Sequence, residues 1–154
     1  DINVSEKFSV IITEGAQAAL SLRARGKVAV GTITGAIRTP TEQALLPIIG
    51  AEKIYLWPDN DDLGVNHMQQ IATTLNKLGN ANIFIIKWND GPRKGDAADF
   101  NGTNEELESL LENAHKWTVN DPILNGATLI INAFVPPPKL SLDRGSQRPT
   151  PILK

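Results

Sequence analysis

Short apolar runs alternate along the chain with stretches whose hydrophobic positions recur at helical spacing. Phe8-Ser9-Val10-Ile11-Ile12 predicts a buried strand ending at Thr13-Glu14-Gly15. Residues 16–25, rich in Ala and Leu, predict a helix stopped by Gly26. Lys27-Val28-Ala29-Val30 starts a second strand, and Gly31-Thr32-Ile33-Thr34-Gly35 reads as a glycine-marked loop. A short helix is expected over residues 41–49, weakened at its far end by Pro47. Lys53-Ile54-Tyr55-Leu56-Trp57 forms the third strand, broken by Pro58-Asp59-Asn60-Asp61. Met68, Ile71, Ala72, Leu75 and Leu78 then mark one face of a helix that stops at Gly79. Residues 82–88 predict the fourth strand and residues 89–100 a polar loop. Residues 104–117 predict an acidic amphipathic helix, opened by the capping box Thr103-Asn104-Glu105-Glu106.

Strands that alternate with helices imply right-handed crossovers and a parallel sheet buried on both faces. The expected fold is therefore α/β, with a central parallel sheet of about four strands and helices on both faces. From about Val119 the alternation decays. Six of the ten prolines lie beyond it, with Lys139, Arg144, Arg148 and Lys154. Residues 1–118 thus read as a catalytic-sized domain and 119–154 as a proline-rich extension or linker. Within it, residues 127–134 are apolar enough to pack back as an extra strand.

Composition narrows the function classes. With 41% apolar and 21% charged residues, the chain reads as an ordinary globular protein, and no apolar run is long enough to span a bilayer. It has no cysteine, which excludes disulfides, zinc ribbons and thiol catalysis within it and fits a cytoplasmic location. It opens on Asp1 rather than Met, as an excised or processed chain does. The net charge is −2, without the basic surplus of a phosphate-gripping protein. If it acts on nucleic acid, metal ions or a basic neighbour must supply the attraction.

In an open parallel sheet, ligands bind beyond the carboxyl ends of the strands. Those ends carry Thr13-Glu14-Gly15 after the first strand and Asp59-Asn60-Asp61-Asp62 after the third. Lys94-Gly95-Asp96-Ala97-Ala98-Asp99 follows the fourth. Carboxylates gathered at one edge raise one another's pKa unless a cation joins them. Oxygen ligands with no His or Cys suit Mg²⁺, with Mn²⁺ as a substitute. Each piece has a plainer reading: Asp59-Asn60-Asp61 as a turn with an Asp N-cap, Lys94 to Asp99 as a solvated loop. Their order along one sheet edge is what favours a metal site.

That order resembles the TOPRIM family, whose pattern is a Glu after the first strand, a DxD after the third and a further acidic motif after the next. Glu14-Gly15, Asp59-Asn60-Asp61 with Gly64, and Lys94 to Asp99 match it over about residues 8 to 117. The stretches WPDNDDLGVNHMQQIATTL and KGDAADF are most similar to the primases of phages, plasmids and mobile elements, often fused to a helicase. The resemblance implies Mg²⁺-dependent nucleotidyl transfer, making primers on single-stranded DNA from nucleoside triphosphates in the replication machinery. It implies Glu14 as general acid/base or metal-organising carboxylate, Asp59 and Asp61 as Mg²⁺ ligands, and Asp96 for a second ion. Gly15 and Gly64 would allow close approach of backbone and ligand, and Lys94 would contact a phosphate. Asp62 and Asp99 are further candidates, with Asp99 alternatively capping the helix that follows.

Several rivals remain at this level. A TOPRIM nuclease of the overcoming-lysogenization type uses much the same metal cluster, and a non-catalytic metal- and nucleic-acid-binding module would carry it too. A phospho-receiver domain needs an acidic pair after its first strand, where this chain has Glu14 with Gly15. A P-loop NTPase needs GxxxxGK[ST], which is absent. A topoisomerase needs a nucleophilic Tyr, and the one Tyr here, Tyr55, lies inside a predicted strand. His67 and His115 read as incidental surface or packing residues. Primases of this kind carry a zinc ribbon and a basic subdomain before this module and a helicase domain after it. The chain alone is therefore expected to bind metal but polymerise little.

Overall fold

The computed structural model describes residues 7–33 and 39–119. The extension beyond Val119, with its expected strand over residues 127–134, lies outside the described residues.

The elements follow the predicted alternation. β1 (Ser9–Glu14), α1 (Ala16–Ala24), β2 (Ala29–Thr32), α2 (Glu42–Leu45), β3 (Lys53–Trp57), α3 (Asp62–Lys77), β4 (Ile83–Ile85), α4 (Asn104–Glu112) and β5 (His115–Lys116) occur in that order. Pro47 acts as expected: α2 gives way to a 3₁₀ turn, Leu46–Ile48, at that point. The sheet runs β2-β1-β3-β4-β5. β1 pairs in parallel with β2 and β3, and β3 with β4.

Alternate residues of the strands feed two cores. Val10, Ile12, Ile54, Leu56, Ile83 and Ile85 pack against Met68, Ile71, Ala72 and Leu75 of α3. Ile11, Tyr55, Trp57 and Ile86 face the other way, onto Ala18, Ala19 and Leu22 of α1 and Leu107 and Leu111 of α4. Burial on both faces explains why β1 and β4 read as continuous apolar runs. Tyr55 is only 8% exposed, as its place in a predicted strand implied, so the chain's one phenol is not presented as a nucleophile.

The far end departs from expectation. The predicted helix over residues 104–117 ends at Glu112, and the sheet gains a fifth strand that the alternation had not shown. β5 lies antiparallel on β4, pairing Lys116 with Phe84 and His115 with Ile85. The cause is tertiary. Trp117 donates its backbone N–H to Ile83 O (2.8 Å) and its indole N–H to Gln69 Oε1 (2.6 Å), burying its ring against the α3 layer. A helix continued through Asn113 would carry Trp117 away from that place. The start of α4 is as expected: Thr103 and Glu106 cap each other's backbone N–H.

Candidate active site

The strand order reverses direction between β1 and β3, because the chain steps outward from β1 to β2 and then returns to the other side. In open α/β sheets such a switch point opens a crevice at the carboxyl ends. Glu14 is the last residue of β1 and Asp59 lies two residues past β3. The two meet there: the Asp59 backbone N–H donates to Glu14 Oε1 (3.1 Å).

Glycine makes this meeting possible. Gly15 carries the chain out of β1 at φ 79°, a region that L side chains rarely enter. Gly64, in the first turn of α3, lies directly over the pair. A Cβ on it would stand 2.5 Å from Asp59 O and 2.7 Å from Glu14 Oε1. The close approach expected at Gly64 is thus made to the acidic pair itself.

The aspartates of the DxD motif part company. Asp61 is the N-cap of α3, its Oδ1 accepting from Gly64 N (2.7 Å), the cap that the turn reading expected. Asp62 is exposed in the first turn, at the positive end of the helix. Asp59 caps nothing, and its buried Oδ1 has no hydrogen-bond partner among the described residues. Burial first, and then the charges of Glu14, Asp96, Asp61 and Asp99, push its carboxyl up to about 7. Burial also pushes Glu14 up, opposed by the Asp59 N–H and reinforced by Asp61 and Asp96. Five carboxylates from three strand ends thus share one electrostatic neighbourhood.

The loop after β4 brings the last two. Asp96 and Asp99 close a 3₁₀ turn, Ala97–Asp99: Asp96 Oδ1 accepts from Ala98 N (2.7 Å) and Asp99 Oδ2 from Asp96 N (3.0 Å). Asp99 therefore closes its own turn rather than capping α4, where Thr103 does so. Lys94 is exposed and holds a left-handed backbone, φ 62°. The loop's far end is anchored by Phe100, which packs edge-on against Trp57 and Trp88. Arg25 lies over the Phe100 ring and donates to Phe100 O and Gly102 O. At the near end Gly91 lies flat on Trp88, so close that a Cβ would come within 2.6 Å of Cε3.

Among the described residues no three His, Asp or Glu side chains converge as a ready-made cage. An all-oxygen set with an orphaned, desolvated Asp59 oxygen nevertheless fits a hard cation. Mg²⁺ takes one or two carboxylates and fills its other positions with water or substrate oxygens. One feature escaped the sequence reading. Asn60 ties the loops after β3 and β4 together, through backbone carbonyls that no motif marks. His67, 1% exposed, is a packing residue, one of the two roles expected of it: Nε2 lies 3.3 Å from Thr32 Oγ1, and burial lowers its pKa.

With the geometry in view, the solved structures speak to the fold. The chain superposes on a primase domain in the structure of the bacteriophage T7 lagging-strand DNA polymerase interacting with primase domains of two gp4 subunits bound to an RNA/DNA hybrid and dTTP. There the TM-score is 0.54, with 18% identity over 72% of this chain and 57% of that one. It also superposes on the Aquifex aeolicus primase (zinc binding and RNA polymerase domains), with TM-score 0.57 and 24% identity over 71% of this chain and 26% of that one. The fold is primase-like. This chain spans about half and about a quarter of the lengths of those two proteins. No family model matches the sequence, and no curated protein does.

Proposed function

We propose that this chain is the TOPRIM module of a DNA primase or primase-helicase, performing cation-dependent nucleotidyl transfer on a single-stranded DNA template. The observation that carries the reading is the junction of Glu14 and Asp59 at the sheet's switch point, with a buried Asp59 oxygen that has no hydrogen-bond partner among the described residues. The fold likeness to two primase domains supports it.

In primer synthesis a 3′-hydroxyl attacks the α-phosphorus of a nucleoside triphosphate, the bond to pyrophosphate breaks and the hydroxyl loses its proton. Glu14, Asp59, Asp61 and Asp96 would hold Mg²⁺ or Mn²⁺, which stabilises both attacking and leaving oxygens of such a displacement. Glu14, made more basic by burial, is suited to accept the hydroxyl proton. Asp59, pushed up to about 7, gains most from a cation, because ionising it without one places a charge among four others. Lys94, on its exposed turn, would contact a phosphate.

The acidic edge on a chain of net charge −2 repels a phosphate backbone. The zinc-ribbon and basic subdomain would supply the missing attraction, and a helicase domain would supply the opened template. A longer natural chain carrying the upstream region, given single-stranded DNA with ribo- and deoxynucleotides, should make primers with Mg²⁺ or Mn²⁺. Glu14→Gln or Asp59→Asn should lower the rate about 100-fold or more while leaving the protein folded. Degradation of DNA with the same residue dependence and no primers would replace this reading with the nuclease. A receiver-like role is disfavoured by the antiparallel β5 and the lone Glu14.

A further inference from the structure

Asn60 stands between the two aspartates of the motif, yet its bonds run to another part of the chain. Its N–H donates to Gly95 O (2.8 Å), and its carbonyl accepts from Lys94 N (3.0 Å). Its side-chain Nδ2 donates to Gly91 O (2.9 Å) and Pro92 O (3.0 Å). Both side-chain partners are carbonyl oxygens, which only accept, so the amide must present its NH₂ and use both protons. A carboxylate of the same shape would set negative charge against two acceptors.

The segment so gripped is a tight turn, closed by Gly95 N–H donating to Pro92 O (2.8 Å). It contains the left-handed Lys94, a conformation unfavourable for a residue with a side chain. Asp96 follows at once, and its backbone direction is set by where Gly95 is fixed. We propose that Asn60 is a positioning residue: it clamps residues 91–95 to the end of β3 and thereby sets Asp96 beside Glu14 and Asp59, joining two strand ends into one cation-holding unit. The inference rests on the metal-dependent reading above. Asn60 is exposed, so its side-chain bonds add little to global stability, and its effect falls on the loop and on the cation.

The test uses the whole chain and Mn²⁺ alone, with bound and free ion distinguished by electron paramagnetic resonance. Amide exchange at Lys94 and Gly95 is followed separately without metal. Asn60→Ala should speed that exchange about 10-fold or more and weaken Mn²⁺ binding roughly 10-fold, as loss of an outer-shell partner does. Asn60→Asp should weaken it at least as much, although the added carboxylate would tighten binding if charge alone mattered. In an Asp96→Asn background, Asn60→Ala should cost Mn²⁺ affinity almost nothing further. Mn²⁺ binding unchanged or tightened in Asn60→Asp overturns the proposal, whatever the exchange rates do. Unchanged exchange in Asn60→Ala overturns it too. If the wild type shows no binding that Asp59→Asn removes, the metal reading itself fails. That failure is told apart because the exchange arm needs no cation.

Discussion

On the β1–β3 flank of the acidic edge Glu14 is 8% exposed, and an Asp59 oxygen lacks any hydrogen-bond partner among the described residues. On the β4 flank Asp96 and Asp99 satisfy each other's backbone in an open turn. Both flanks carry carboxylates at strand ends, so a motif scores them alike. Physically they differ. The first is desolvated and repelled by its neighbours, which a proton relieves and a bound cation would relieve. The second has made its hydrogen bonds already and contributes to the first mainly by proximity. Carboxylates that a pattern scores alike are told apart here by what they leave unsatisfied.

The largest test of that contrast is Gly64→Ala. The added Cβ would meet Asp59 backbone and the Glu14 carboxylate, so α3 must shift or the pair must part. Loss of about 1–3 kcal/mol is expected, read as a lowered urea midpoint, and it should be little relieved by Mg²⁺. A neutral outcome would mean that α3 does not press on the pair.

Titration comes next. Asp59 has a folded-state pKa near 7 against an ordinary 3.8, so the folded state holds its proton more tightly than the unfolded one. Without metal, this carboxyl should therefore make stability fall as pH rises from about 4 to 7. Asp59→Asn should flatten that slope and, near pH 8, stabilise the metal-free protein by about 1 kcal/mol after allowance for solvent screening. Mg²⁺ at ten times its dissociation constant should add about 1.4 kcal/mol to the wild type, roughly 3–6 °C in Tm. It should add nothing to Asp59→Asn. A wild-type slope of the opposite sign would show that the pair is solvated.

The smallest effect belongs to the satisfied flank. Asp99→Ala removes one cap of a short exposed turn and should cost about 0.5–1 kcal/mol. It should leave the pH slope nearly unchanged. A slope change as large as that of Asp59→Asn would erase the distinction between the flanks.

Much of this architecture was legible in the sequence because its signals are local. Apolar runs such as residues 53–57, stopped by Pro58, locate strand ends, and parallel crossovers put those ends on one edge. The sequence pattern alone leads to Glu14, Asp59 and Asp96. It could not separate Asp59 from Asp61, since the N-cap that occupies Asp61 is a matter of which side chain meets Gly64 N. Nor could it find β5, a two-residue strand created by the need to bury Trp117 on α3. Asn60 was hidden for a related reason: its partners lie 31 and 32 residues away and are main-chain oxygens.

The packing of Gly91 on Trp88 has a spectroscopic consequence. Of the three tryptophans, Trp57 and Trp117 are sealed in the two cores, whereas Trp88 is half-buried beneath the loop that leads to Asp96. Trp117, and Trp57 edge-on to Trp88 at 6.0 Å, are expected to emit at short wavelength. A movement of the loop that uncovers Trp88 is expected to shift its emission to longer wavelength. The protein thus carries an optical gauge of its own acidic loop, readable by intrinsic fluorescence with no label attached.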